Sequence, residues 1–365
     1  MNIKYFLYAM LLVSCNGILA DKFFVTYSTN NKVAVGDSST AAISGLVTDL
    51  SPTTFSAPLP IAVTPDGKTA YVGNNLGFAG SSVSIIDVAT NQVTGIVNDT
   101  AHHTFIVPVA IAITPDGTKA YVANSTNGTV SIIDIATNSV ILPAITGFNV
   151  PVAIAITPDG SKAYVANSGN NTVSIIDVAT NTVTGTVTDA GTTIANPRGI
   201  AITPDGSKAY VANYDGDSVS VIQVANNTVT GTVTDTGHTF NGTWTVVITP
   251  DGSKAYVVNR DGSTVSVVDV ANNTVTGTVT NPNFSTPYSI AITADGNMAY
   301  VTNNGGTTIS IINVSSNAVT GTVTNTVTNT FHPFNIAFVP SPTPSGTFDP
   351  FVTRLIQKYG ANGLG

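Results

Sequence analysis

The chain has 365 residues, 42% of them hydrophobic and only 9% charged, with a formal net charge of −8 and acidic side chains that are all aspartate. No run of Lys and Arg supplies the basic footprint that phosphate tracking needs, so nucleic acid is excluded as an expected partner, and an anionic membrane surface is equally disfavoured. Cys15 is the only cysteine, which leaves no disulfide framework and no thiolate ligand set.

The chain starts with Lys4 followed by the apolar run Tyr5 to Val13. This run is too short to span a bilayer as a helix and reads as an export signal. Two cleavage readings compete. Leu12-Val13-Ser14-Cys15 fits a lipobox, which would make Cys15 a lipidated first residue with a membrane anchor, although only six residues would then separate it from the first strand. Ordinary cleavage after Ala20 leaves Asp21 first. Residues 1–20 are assigned to the signal peptide on either reading, and the expected location is the periplasm, the cell envelope or the exterior.

From there to residue 340 the chain repeats. A Thr-Pro/Ala-Asp-Gly element recurs at Asp66, Asp116, Asp159, Asp205, Asp251 and Asp295, at intervals of 50, 43, 46, 46 and 44 residues. Each unit reads as four short strands rich in Val, Ile, Thr and Tyr, broken by Gly, Asn and Asp, with no helical periodicity between them. Four antiparallel strands in roughly 40–45 residues make a propeller blade. Six units are complete. The second strand occurs a seventh time at Phe24-Val25-Thr26, and the missing first strand lies at the far end, around Ile336. The expected fold is therefore all-β: a seven-bladed β-propeller of four-stranded antiparallel blades over residues 21–340. A C-terminal strand joins the blade that the N-terminus begins, and closure removes exposed sheet edges.

Beyond residue 340, Ser341-Pro342-Thr343-Pro344-Ser345-Gly346 reads as a linker. Phe351, Val352, Leu355, Ile356 and Tyr359 then fall at helical spacing before Gly360. Residues 341–365 are expected to form this linker and a short helix or tail, packed on the propeller or used to dock a partner.

Tyr300-Val301-Thr302-Asn303, with Tyr-Val-x-Asn again at Tyr71, Tyr121, Tyr164, Tyr210 and Tyr256, resembles the YVTN-repeat β-propellers, extracytoplasmic proteins that include surface-layer-like repeats. The resemblance spans about residues 21–340. It implies a fold and a compartment, and it supplies no catalytic residue.

Loop lengths separate the two faces of the disc. Asp to Tyr across the first turn is five residues in all six units, whereas the span from strand three to the next blade ranges from 17 residues (Asp134 to Pro151) to 21 (Asp87 to Pro108). His102, His103, His238, His332, Trp244, Arg198 and Arg260 all map to the variable face. Binding residues favour variable loops on a rigid scaffold, so this is read as the working face.

Two positions before the first-strand Ile, the blades place Leu59, Val109, Val152, Arg198, Trp244, Tyr288 and Phe334. Arg198, Trp244, Tyr288 and Phe334 would form an arc suited to a sugar, an aromatic group, a carboxylate or a peptide anchor, or would instead plug the channel. The histidines enter separate blades at unequal offsets, so no metal site is expected. Asp215-Gly216-Asp217 lacks the further acidic ligands of a calcium loop. The repeated aspartates read as turn formers. No cofactor and no catalytic residue is assigned.

The leading expectation is a non-enzymatic binding or scaffold protein that engages a protein or small ligand through the variable face. The alternatives are a lactonase-like propeller hydrolase or lyase with an Asp or His base beside Arg198, and a structural surface coat.

Overall fold

A computed structural model describes residues 22–49, 54–75, 81–98, 105–189, 191, 193–237, 239–324 and 332–340. The expected signal segment with Cys15, the loop histidines His102, His103 and His238, and residues 341–365 lie outside these.

The described strands form seven separate four-stranded sheets. Six are consecutive in sequence: blade 1 (58–97), blade 2 (108–146), blade 3 (151–186), blade 4 (197–232), blade 5 (243–280) and blade 6 (287–324). Blade 7 joins the two ends of the fold. Its inner strand, Ile336–Phe338, pairs antiparallel with Lys22–Tyr27 through Phe23↔Phe338, Phe24↔Ala337 and Val25↔Ile336. Seven hydrophobic clusters each join one blade to the next, including blade 6 to blade 7 and blade 7 to blade 1. The chain is a seven-bladed β-propeller.

Packing explains the sequence pattern. The second and third strands of a blade lie between two neighbouring blades, so both of their faces are buried. Lys162-Ala163-Tyr164-Val165-Ala166-Asn167, for example, is buried from Ala163 onward and does not alternate. Outer strands such as Thr182–Thr186 face solvent and carry Thr and Gly.

The repeated motif holds the blades together. Tyr121 donates its hydroxyl to Asn181 Oδ1 (2.6 Å) in the next blade's third-to-fourth turn, and Lys119 Nζ reaches Val178 O (2.9 Å) and the same Asn181 Oδ1 (3.1 Å). Asn181 can turn back toward these donors because it adopts a left-handed backbone, φ 55°, which Asn tolerates. The same arrangement joins Tyr164 and Lys162 to Asn227, and Tyr210 and Lys208 to Asn273. The motif's own Asn acts within its blade: Asn167 Nδ2 donates to Ser174 Oγ (2.9 Å) on the third strand.

The repeated aspartates close turns, as the sequence suggests. Asp159 Oδ1 accepts from Thr157 Oγ1 and from the Ser161 backbone N–H (3.0 Å), while Gly160 supplies φ +70°.

Candidate functional site

The inner strands surround a cavity of about 410 Å3, within the range of small-molecule sites. Each inner strand is a sheet edge, so its free backbone groups also face this space.

A β-bulge sets the side chains at the mouth. In blade 4, Pro197 pairs with Asn213 and Gly199 with Ala212, leaving Arg198 unpaired between them. Trp244 and Tyr288 occupy the same place in blades 5 and 6. A bulge redirects the extra residue's side chain, and here it directs a different one in each blade. The residue two positions earlier has positive φ in blades 1 to 6, as at Asn196 (48°), Gly242 (62°) and Thr286 (45°), so the left-handed backbone turns the chain into the ring at each of these blades.

The expected arc is continuous. Trp244 and Tyr288 have ring centroids 5.1 Å apart, and Tyr288 and Phe334 also 5.1 Å, the latter edge to face. The Arg198 guanidinium carbon stands 5.0 Å from the Trp244 ring centroid. Arg198, Trp244 and Tyr288 line the cavity, while Phe334 extends the arc behind Tyr288. Phe334 is fixed by its backbone: its N–H donates to Thr26 O (2.9 Å) and its carbonyl accepts from Thr302 Oγ1 (2.6 Å).

Three further residues complete the cluster and were not assigned to it from sequence. Arg260 places its guanidinium carbon 4.6 Å from the Trp244 centroid. Tyr214 packs edge-on to Trp244 at 5.6 Å and lies 5.8 Å from the Arg198 guanidinium. Asp261 Oδ2 accepts the Tyr214 hydroxyl at 2.7 Å. The missed signal was positional: Tyr214 and Arg260 both directly follow the Asn of the motif, where four of the other blades carry Ser or Asn.

Close backbone approach brings blades 4 and 5 together here. A Cβ on Gly199 would stand 2.7 Å from Thr245 Cα and 3.0 Å from Trp244 O, so glycine is required for Trp244 to lie beside Arg198.

The electrostatics are unbalanced. Arg198 Nε and Arg260 Nε are buried without a hydrogen-bond partner. Among the described residues the ion pairs are Lys32–Asp49 and Lys68–Asp66, and neither involves an arginine. Two guanidiniums on one ring lie within a screening length of about 10 Å. Their repulsion, roughly 0.4–1.7 kcal/mol, is similar to the roughly 0.5–1 kcal/mol each gains over the ring, so the pair has little net stabilising value by itself. The hydrogen bond to Asp261 raises the Tyr214 hydroxyl above its usual pKa, against the pull of both arginines. Burial raises Tyr288, again opposed by Arg260 and Arg198.

Three other polar residues of this face are occupied elsewhere. His332 Nδ1 donates to the Asn304 carbonyl at 2.8 Å. Asp215 Oδ1 accepts from Asn196 Nδ2 (3.0 Å), and Asp217 Oδ1 from the Gly242 N–H (2.6 Å), so both carboxylates brace loops. No group of three or more His, Cys, Asp or Glu side chains suited to a metal occurs among the described residues.

The family described as "Lactonase, 7-bladed beta-propeller" matches residues 133–246, a segment that includes Arg198, Tyr214 and Trp244. No curated protein matches the chain. Among solved structures it is similar to Kuenenia stuttgartiensis hydrazine synthase, with 26% identity, TM-score 0.59, and 71% of this chain and 77% of that chain covered. A functionally unknown protein from Desulfotomaculum acetoxidans DSM 771 has 21% identity and TM-score 0.72, with 88% and 100% covered. A protein of Bacteroides fragilis NCTC 9343 described as a "putative 6-phosphogluconolactonase" has 18% identity and TM-score 0.67, with 89% and 99% covered. At these last two identities the likeness is one of fold.

Proposed function

We propose that the channel mouth is the active site of a lactonase-like hydrolase. The observation that carries this reading is the pair of unpaired guanidiniums, Arg198 and Arg260, stacked on Trp244 at the mouth of a ligand-sized cavity. The match of residues 133–246 to a lactonase family supports the reaction class and favours it over the non-enzymatic role expected first.

Lactone hydrolysis fits a cationic mouth. Water adds to the ring carbonyl carbon, and negative charge develops on its oxygen. The acyl C–O bond then breaks, the ring oxygen takes a proton, and the hydroxy acid ionises to a carboxylate. A fixed guanidinium stabilises both the oxyanion and the product. Asp261, held by Tyr214, is the carboxylate tied to the cluster and is assigned as the base that takes the proton from water.

Release of one proton per turnover makes the reaction measurable by pH-stat. Arg198→Gln and Arg260→Gln should each lower kcat/KM about 100-fold with the melting temperature unchanged. Equal turnover by wild type and both variants would overturn the assignment. The second reading, a binding module for a small anion or a protein, is favoured by the exposure of Asp261, which does not line the cavity. Saturable binding without turnover would select it. In either case export, with a lipidated Cys15 or a free Asp21, is part of the proposal, supported by the resemblance of the Tyr-Val-x-Asn repeats to YVTN-type propellers and by the apolar run Tyr5 to Val13.

A further inference from the structure

The cavity has two unlike halves. From blades 1 to 3 its lining side chains are aliphatic without exception, among them Pro60, Ile61, Val109, Ile111, Val152 and Ile154. Every polar or aromatic lining side chain comes from blades 4 to 7, with Arg198, Trp244 and Tyr288 at the mouth and Thr245, Ser289 and Asn335 following them. The division falls at equivalent positions of one repeat. The bulge residue is Val in blades 2 and 3, and Arg, Trp and Tyr in blades 4, 5 and 6. The repeat's symmetry would give equal walls, so the division comes from these substitutions.

We infer that the ligand is amphiphilic: a lactone bearing an aliphatic chain, or its hydroxy-carboxylate product. The oxygen-bearing end lies at Arg198 and Trp244, and the chain lies along the wall of blades 1 to 3. The ligand class stands on the cavity, while its ester end rests on the hydrolase reading. Burying an aliphatic chain against Val109 and Val152 is favourable by about fourfold in affinity for each methylene fully removed from water. A polyhydroxylated lactone would meet no polar side chain on that wall, only the inner-strand backbone edges. Each hydroxyl left without a partner would lower affinity by about tenfold.

Trp244 is the only tryptophan of the chain, so intrinsic fluorescence reports this site directly. The full-length protein is titrated with hexanoate, octanoate and decanoate below micelle formation, and with gluconate and decylammonium. The dissociation constant should fall about two- to fourfold per methylene, with decylammonium and gluconate at least tenfold weaker than decanoate. Val152→Ser should flatten that dependence and leave hexanoate within about twofold, and a melting curve checks that the variant is folded. No dependence on chain length, or gluconate binding as tightly as decanoate, overturns the inference. Turnover of γ-decalactone and glucono-δ-lactone separates the two claims. Chain-dependent binding without turnover of either lactone supports the amphiphilic ligand and removes the hydrolase. Preferred hydrolysis of glucono-δ-lactone keeps the hydrolase and overturns the ligand class.

Discussion

The two faces of this disc use the same residue chemistry to opposite ends. On the face of short turns, Lys119, Lys162, Lys208 and Lys254 each donate to a carbonyl and an Asn of the next blade, and the motif tyrosines share those acceptors. At the opposite mouth two cations share one indole ring and leave their Nε groups without partners. Both faces are built on one repeat, so backbone geometry does not explain the difference. The periodic Lys and Tyr donors are paired because each blade offers the next an identical acceptor. An aperiodic group such as Arg198 meets a neighbour that was not built to receive it. Unpaired charge is thus where the repeat has been broken, and it marks the place where a ligand can supply what the blades do not.

Alkali should break the paired face first, and with the largest effect. Burial raises the hydroxyls of Tyr71, Tyr121, Tyr164, Tyr210 and Tyr256 to about 12, from 10.0 for an unperturbed side chain. The folded state favours the protonated form, so this stabilisation is complete below pH 10 and is lost as pH rises through 12. Tyrosinate absorbance and circular dichroism should change together in that interval. Independent titration of five exposed phenols near pH 10, with the fold intact, would contradict the latch.

A pair of substitutions then separates the faces. Tyr164→Ala empties a fully buried site and should cost about 3–5 kcal/mol by denaturant unfolding. Arg260→Leu keeps much of the packing on Trp244 and should change stability by less than about 1 kcal/mol. Comparable losses from the two would mean that the mouth is structural.

Gly199→Ala should fall between these two. Its Cβ meets the backbone of blade 5, so it should cost about 1–3 kcal/mol and move Trp244 off Arg198, visible as a shifted emission maximum. An unchanged spectrum would show that the approach of these two strands does not set the cluster.

The architecture was legible in the sequence because each element carries its own chemical cause. Asp-Gly marks the turn, Tyr and Asn mark the blade contact, and the split copy at Phe24 and Ile336 reveals the closing blade. The arc from Arg198 to Phe334 was legible as well, since four residues at one register position of adjacent blades must be neighbours. Arg260 and Tyr214 were harder to place because they belong to a different loop. Their approach to Trp244 depends on the bulge angle and on the closeness that Gly199 permits, neither of which has a sequence period. The split of the cavity into aliphatic and polar halves likewise appears only when seven inner strands are set in a circle.

The pairing of Phe24 with Ala337 has a kinetic consequence. More than 300 residues separate the two partners, so blade 7 has the highest contact order in the molecule, and its strand pairing pays the largest loop-closure entropy. At about 5–20 residues per second of synthesis, the strand at 22–27 waits roughly 15 to 65 seconds for its partner to be made. During that interval the growing chain holds an unsealed arc in which the edge of Lys22–Tyr27 lacks its inner-strand partner. Pairing of Ile336–Phe338 is therefore the last strand pairing the chain can make, and the ring is sealed only once residue 338 has been added.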